Sequence, residues 1–430
     1  VGIVGSAGSI SGSQTLRRNV VLDLVSLVGV GITASVVLAL LPGVARHAGL
    51  DPVGIALLAA APFAANVLGL FANRLGPRTP RGMSLFRASG ALLLVVMVFL
   101  PIPVVMAALA TGYWLSLAFS NPLQQRMWGA MYPAADRGRL IGFVSTGKAA
   151  AAGMALLIGG ILADRIGGMV VLAFAGGIGA LCAMAASRLQ VPLDPNAPRF
   201  SAHESWSAFR RRPALRQVAA AQAFYGAGLI AAGPLYALVQ VDRLTLSMAE
   251  IGVIGILGAV ATTLSCVAWG SMADRRGSVS VMRIGAALGL VSILLYAVAP
   301  SVIFLWLAAV IVGVANAATD MGLASVISEQ VPQEERGAAV AGLNALTGAR
   351  GMFAPFVAAI VVQAGILSLT QALLLCAATT GIGTLLYLRL TPSGAPRPWR
   401  ALVPSIPGMG GVDRGLQRAR AMVVGVAANL

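Results

Sequence analysis

Apolar runs alternate with short polar or glycine-rich breaks along the 430 residues, roughly at 20–41, 53–72, 84–100, 103–121, 140–162, 168–187, 217–239, 251–272, 280–299, 301–325, 338–364 and 368–389. Each is close to the ~20 residues an α-helix needs to cross a hydrocarbon core of ~30 Å. The runs are too long for the strands of a membrane barrel and lack their alternation of apolar and polar positions. Lipid offers no hydrogen bonds, so each crossing segment must satisfy its own peptide groups, as a helix does. The pattern predicts an all-α membrane protein with twelve transmembrane helices.

The widest break, residues 188–216, divides six runs from six. It predicts a segment 1–19, a six-helix bundle over 20–187, a basic linker over 188–216, a second bundle over 217–389 and a tail over 390–430. Within the linker, Ser201-Ala-His-Glu204 has the spacing of a capping box and precedes Trp206, Phe209 and Arg210-Arg211-Arg212. Such a segment reads as a short amphipathic helix on the membrane surface, or else as an irregular basic linker. The tail is rich in Pro and Gly, and its apolar end, 421–430, is too short to span.

Two kinds of motif recur at nearly one offset. Gly69-Leu-Phe-Ala-Asn73-Arg74-Leu-Gly76 follows the second run and Gly270-Ser-Met-Ala-Asp274-Arg275-Arg-Gly277 the eighth, 201 residues apart. Pro133-Ala-Ala-Asp136-Arg137-Gly138 precedes the fifth run and Pro332-Gln-Glu-Glu335-Arg336-Gly337 the eleventh, 199 apart. The second motif places a carboxylate at a helix start, where it complements the dipole. Together they predict two parallel copies of one unit, an arrangement some transporters use. A third match, Gly160-Ile-Leu-Ala-Asp164-Arg165-Ile-Gly167, closes the fifth run on the opposite face. The pattern is therefore partly ordinary punctuation, a charged turn whose glycines allow close helix approach.

Composition agrees: 58% of residues are hydrophobic and 10% charged, against about 25% charged in soluble domains. The net charge of +16 would suit a nucleic-acid binder. With both termini placed in the cytoplasm, however, 24 of the 30 basic residues fall on that face. Arg46, Arg165 and Arg243 fall on the other, and Arg87, Lys148 and Arg350 within runs. This is the positive-inside bias. It predicts a multi-pass inner (plasma) membrane protein touching anionic headgroups, with no nucleic-acid partner. Cys182, Cys266 and Cys376 lie within runs and the two histidines in loops, so neither a disulfide framework nor a zinc site is expected. Gly142-Phe-Val-Ser-Thr-Gly147-Lys148 matches a phosphate loop until Ala149 stands where Ser or Thr must reach magnesium. No cofactor and no enzyme activity are expected.

The octapeptides, the Arg-Gly helix starts and the long basic central loop resemble the major facilitator superfamily, over residues of about 17–390. The resemblance implies two bundles rocking around a midplane cavity, driven by a proton gradient or the solute's own. It implies that Gly69, Asn73, Arg74, Gly76 and Arg78, with Gly270, Asp274, Arg275 and Gly277, form the cytoplasmic gate, alongside Arg137 and Arg336. The family's acid, which tightens the contact between halves in the outward-open state, is Asn73 in the first copy; it accepts a hydrogen bond but brings no charge. The glycine-proline signature of the family's drug–proton antiporters is missing from Gly153-Met-Ala-Leu-Leu-Ile-Gly159-Gly160, which weakens the antiporter reading. Export of a small organic solute, anionic or amphipathic, is expected first. A monomer is expected; import of a metabolite, or an assembly factor or scaffold binding pigment, lipid or a membrane-protein partner without moving solute, are the alternatives.

An ionisable side chain at membrane depth costs about 2.5–3.5 kcal/mol on insertion scales and marks a pathway, a relay or a pair. Lys148 and Arg350 stand 202 residues apart as counterparts in the two halves. Both are expected roughly 15–20 Å into the bilayer, either binding a substrate's negative charge or pairing, Lys148 with Asp23 and Arg350 with Asp320. Asp320 is the leading proton-coupling candidate. Asp23 is a second, placed close enough to the surface to pair with the basic start of its helix. Arg87 is expected to snorkel or to support the first signature turn. Gln222 and Tyr225, three apart on one helical face, are the preferred substrate contacts. Asn66, Asn316 and Asn344 are further polar candidates for the cavity wall.

Overall fold

The computed structural model describes residues 6–69, 76–100, 102–133, 136–192, 211–331 and 336–390. The linker segment around Ser201 and the tail lie outside the described residues. Helix α1 is one rod made of Ser6–Ser35, a π turn at Val36–Leu40 and a last stretch Leu41–His47. The first half continues with α2 (Pro52–Leu68), α3 (Pro80–Met97), α4 (Pro103–Met131), α5 (Arg137–Ile166) and α6 (Gly168–Ala183), the last followed by a tighter turn at Met184–Arg188. The second half holds α7 (Pro213–Leu238, extended by a π turn at Val239–Arg243), α8 (Met248–Arg276) and α9 (Ser278–Val298). It ends with α10 (Val302–Gln330), α11 (Arg336–Gln363) and α12 (Leu369–Arg389). These twelve rods among the described residues follow the twelve apolar runs.

Local chemistry sets the ends. Asp51 and Thr79 accept from the amides of Gly54 (2.8 Å) and Gly82 (3.1 Å), each followed by proline at the first helical position, where a missing N–H costs nothing. Ser247 with Glu250, and Ser368 with Gln371, form complete capping boxes on α8 and α12. The last glycines of the second and third octapeptides, Gly277 (φ 84°) and Gly167 (φ 93°), stop α8 and α5, a backbone region that side chains resist.

Ten rods are long and apolar enough to cross a membrane; α2 is apolar but spans 17 described residues, and α3 carries Arg81 and Arg87 in its 18. Large apolar side chains such as Phe99, Leu181 and Leu264 stay exposed, as befits a molecule solvated by lipid.

Duplication shows in how the helices pair. In the first half α1 packs on α5 and α6, α3 on α4 and α6, and α2 on α4. The second half repeats this six helices on: α7 on α11 and α12, α9 on α10 and α12, and α8 on α10. The two main contacts between halves, α5 with α8 and α2 with α11, exchange under the same operation. Even the π turns of α1 and α7 correspond.

A polar network braces the first half and corrects two expectations. Asp23 is 0% exposed, far from a surface pair. Its carboxylate accepts from Gln124 Nε2 (2.9 Å), Trp128 Nε1 (2.7 Å) and the Tyr132 hydroxyl (2.7 Å), donors spaced four apart on α4 and at its end. Arg87, 3% exposed, does not snorkel; its Nη1 donates to Gln124 Oε1 (3.0 Å) and Ser26 Oγ (3.4 Å). Gln124 thus bridges the acid on α1 to the base on α3. Asp23→Ala should strand three donors and leave Arg87 uncompensated, lowering stability by on the order of 3 kcal/mol. Thermal unfolding in detergent should show this, with part of the loss regained in Asp23→Ala/Arg87→Met.

Candidate functional site

Among the described residues, the hydrogen bonds that join the halves lie on the face opposite the linker. Arg46, at the end of α1, grips Asp242 in the π turn of α7, with Nε at 2.8 Å from Oδ1 and Nη2 at 2.6 Å from Oδ2. Asp164, near the end of α5, accepts from the amides of Met248 and Ala249, both at 2.8 Å. Gln363, ending α11, accepts from the amide of Val53 at 3.1 Å. On this face the halves are closed.

Deeper in, polar side chains remain open. Asn66, Lys148, Asn316, Asp320 and Asn344 are all exposed although they sit within membrane helices. Asp320 lies ten residues before the end of α10, about 15 Å along its axis. No hydrogen bond or ion pair holds its carboxyl among the described residues. One turn away on the same face, Asn316 lines a cavity of about 290 Å³ between α7, α8, α9 and α10. Its wall mixes apolar Ile254 and Val312 with Thr262, Ser292 and the tyrosines Tyr236 and Tyr296. The two rings stack at 3.9 Å, and the Tyr296 hydroxyl accepts from Gln240 Nε2 at 3.1 Å.

The expected internal pairs do not form: neither Lys148–Asp23 nor Arg350–Asp320 is an ion pair among the described residues. Lys148 lies eleven residues into α5, beside the backbone of Gly31 on α1. Arg350 is half-buried and donates to the Gln222 carbonyl and to Thr347 Oγ1 (3.2 Å), tying α11 to α7. Gln222 also accepts from the Tyr387 hydroxyl through its side chain. Tyr225 departs furthest from expectation: it is 2% exposed, edge-on to Tyr387 with centroids 5.8 Å apart, inside the second bundle.

The motif residues are spread along the linker face. Gly69 ends α2, and Arg78 is exposed ahead of α3, with Gly76 near it. Asn73 and Arg74 lie outside the described residues, as do the side chains of Asp274, Arg275 and Arg336. Gly270 has open space where a Cβ would stand, and Gly277 ends α8. Arg137 donates to the carbonyls of Gly129 (2.8 Å) and Tyr132 (3.3 Å), binding the start of α5 to the end of α4.

The sequence model of the Major Facilitator Superfamily matches residues 24–241 and again 218–411. The chain belongs to the Major Facilitator Superfamily. It is accordingly a membrane-embedded secondary transporter of a small molecule and not an enzyme. The nucleoside transporter NupG, in a single-residue variant, superposes with a TM-score of 0.70 at 14% identity, covering 87% of this chain and 99% of that one. The human organic anion transporter MFSD10 gives 0.62 at 17%, covering 87% and 99%. A bacterial homolog of the human lysosomal transporter Spinster, inward-facing and occupied, gives 0.64 at 16%, covering 87% and 96%. At these identities the likeness is one of fold. No curated protein matches the chain.

Sequence reasoning missed the bond between Arg46 and Asp242 and the partners of Asp164 and Gln363. For Asp164 the signal was present, since it is the acid of the third octapeptide. In a background with Cys182, Cys266 and Cys376 replaced by alanine, Asn316→Cys and Asp320→Cys should react with a polar maleimide. Tyr225→Cys should stay at least tenfold slower, as its burial requires.

Proposed function

We propose that this transporter exports a small amphipathic or anionic organic solute by alternating access, coupled to protons through Asp320. The observation that carries this reading is the state of Asp320, a carboxyl exposed within a membrane helix and held by no hydrogen bond or ion pair among the described residues. An acid left so is costly unless its charge changes during the cycle, and protonation removes that cost when the site turns away from water. Asn316, one turn away, links it to the cavity. The cavity wall, mostly apolar with a few hydroxyls, suits an amphipathic body. Lys148, on the other half, offers a cation to an acidic group. Arg350, committed to Gln222 and Thr347, serves better to position α7 against α11 than to bind solute.

Orientation follows from charge. The linker face holds most of the arginines and faces the cytoplasm, so the face closed by Arg46–Asp242 is the outer one, and the conformation is poised to accept solute from inside. The test is proton movement in liposomes across a panel of organic anions, with variants alongside. Wild type should move protons in response to solute. Asp320→Asn should reduce that flux at least tenfold, and Lys148→Ala should raise the half-saturating anion concentration about fivefold or more. Intact coupled flux in Asp320→Asn would remove the relay from helix α10. Absence of any solute movement in wild type would favour a scaffold of the same fold.

A further inference from the structure

We propose that Asp164 and Gln363 are a symmetry-related pair of latches, each closing the outer face by supplying the hydrogen-bond acceptors that the first turn of a helix in the opposite half lacks. This rests on the alternating-access reading above.

The argument begins with donors. A helix leaves its first four amides without partners inside itself. On α8 the capping box settles some of these. Ser247 Oγ accepts from the Glu250 amide (3.2 Å), Glu250 Oε2 accepts from the Ser247 amide (2.9 Å), and Ile251 donates to the Ser247 carbonyl (3.2 Å). The amides of Met248 and Ala249 are left over. Asp164 reaches both, Oδ1 to one and Oδ2 to the other, at 2.8 Å each.

On α2 the count differs. Asp51 accepts from the Gly54 amide (2.8 Å), and Ile55 donates to the Asp51 carbonyl (3.0 Å). Pro52 has no N–H, so past the cap residue Asp51 only Val53 is left over in the first turn. Gln363 Oε1 takes it, at 3.1 Å. Two leftover donors meet a carboxylate with two oxygens; one leftover donor meets an amide with one. Asp164 and Gln363 are 199 residues apart, the same offset as Arg137 and Arg336, so they hold equivalent places at the ends of α5 and α11.

The third octapeptide now has a use. Its first glycine, Gly160, faces Gly252 of α8, and a Cβ on it would stand 3.1 Å from Gly252 Cα and 3.2 Å from Ala249 Cα. That closeness is what lets Asp164, one turn further along, reach the helix start. Nothing in this geometry survives rocking: once α5 parts from α8 and α2 from α11, the three amides turn to water.

Because acceptors match donors by number, the effect of removing them should be graded. Spin labels on Ala48→Cys and Ile366→Cys, one on each half at the outer face, would report its opening in full-length protein in lipid nanodiscs. Asp164→Ala should raise the open population about tenfold. Asp164→Asn, which keeps one acceptor, and Gln363→Ala, which loses one, should each raise it about threefold. Gly160→Leu, which forces α5 from α8, serves as an opened reference. An open population in the Gly160→Leu reference with none gained in Asp164→Ala would overturn the latch and leave alternating access standing. A single unchanging distance in every variant, Gly160→Leu included, would overturn both.

Discussion

A helix in hydrocarbon satisfies its own peptide groups except at its ends, and in this molecule two of those ends are met by side chains of the opposite half. The start of α8 lies against the end of α5 and the start of α2 against the end of α11, so closure of one face and completion of two helix starts are one event. Duplication then does the rest. One operation that carries α1 through α6 onto α7 through α12 also carries one interface between the halves onto the other. An interaction that closes the face at α5 and α8 therefore has a counterpart at α2 and α11 without separate invention.

The two copies have not kept the same interior. Asp23 and Arg87 brace the first half through Gln124. Counting 202 residues on from each gives Tyr225 and Gly289. There the tyrosine hydroxyl lies against the glycine, in space that a side chain on residue 289 would need. One half holds its core with a bridged acid and base, the other with a tyrosine over a glycine, backed by Tyr387 and by Thr380, which donates to the Tyr225 carbonyl at 3.4 Å. Lys148 and Arg350, eleven and fourteen residues into α5 and α11 and so not in register, also differ: one is open, the other engaged with the backbone of α7. Fixed charge is concentrated inside the first half, while the open carboxyl, Asp320, and the cavity beside it belong to the second.

How much of this was legible depends on which degree of freedom a residue left open. Helix number and pairing into halves follow from run length and from two motif offsets, and the ends of α5 and α8 from Gly167 and Gly277, because membrane thickness and left-handed backbone admit few alternatives; other limits shift, as α4 runs to Met131 and not to 121. The face of a helix was not legible. Gln222 and Tyr225 share a face, but whether it meets a cavity or a neighbouring helix depends on how α7 is turned against α12. Asp23 was read as near the surface because it is close to the end of its run. Burial followed instead from α4, whose Gln124, Trp128 and Tyr132 all turn toward it. Asp164 was visible as part of a motif and invisible as a latch, because its partners are backbone amides, which no residue type announces.

Latches made to backbone amides, as proposed here, would suit a gate that opens in every cycle of alternating access. An ion pair sealed from water is strongly destabilised when one partner is lost, and a gate built on such pairs would need a correspondingly large force to part them. Amides at a helix start lose little when the face opens, because water takes the place of the acceptor, and the carboxylate is rehydrated at the same time. The ion pair found on this face among the described residues, Arg46 with Asp242, is itself partly exposed, at 22% and 39%, and its contribution is screened accordingly. The closed face is thus held by several small differences and not by one large one. A conformational equilibrium of that size lies within reach of the differential binding of one solute or one proton, which is what the proposed coupling through Asp320 requires.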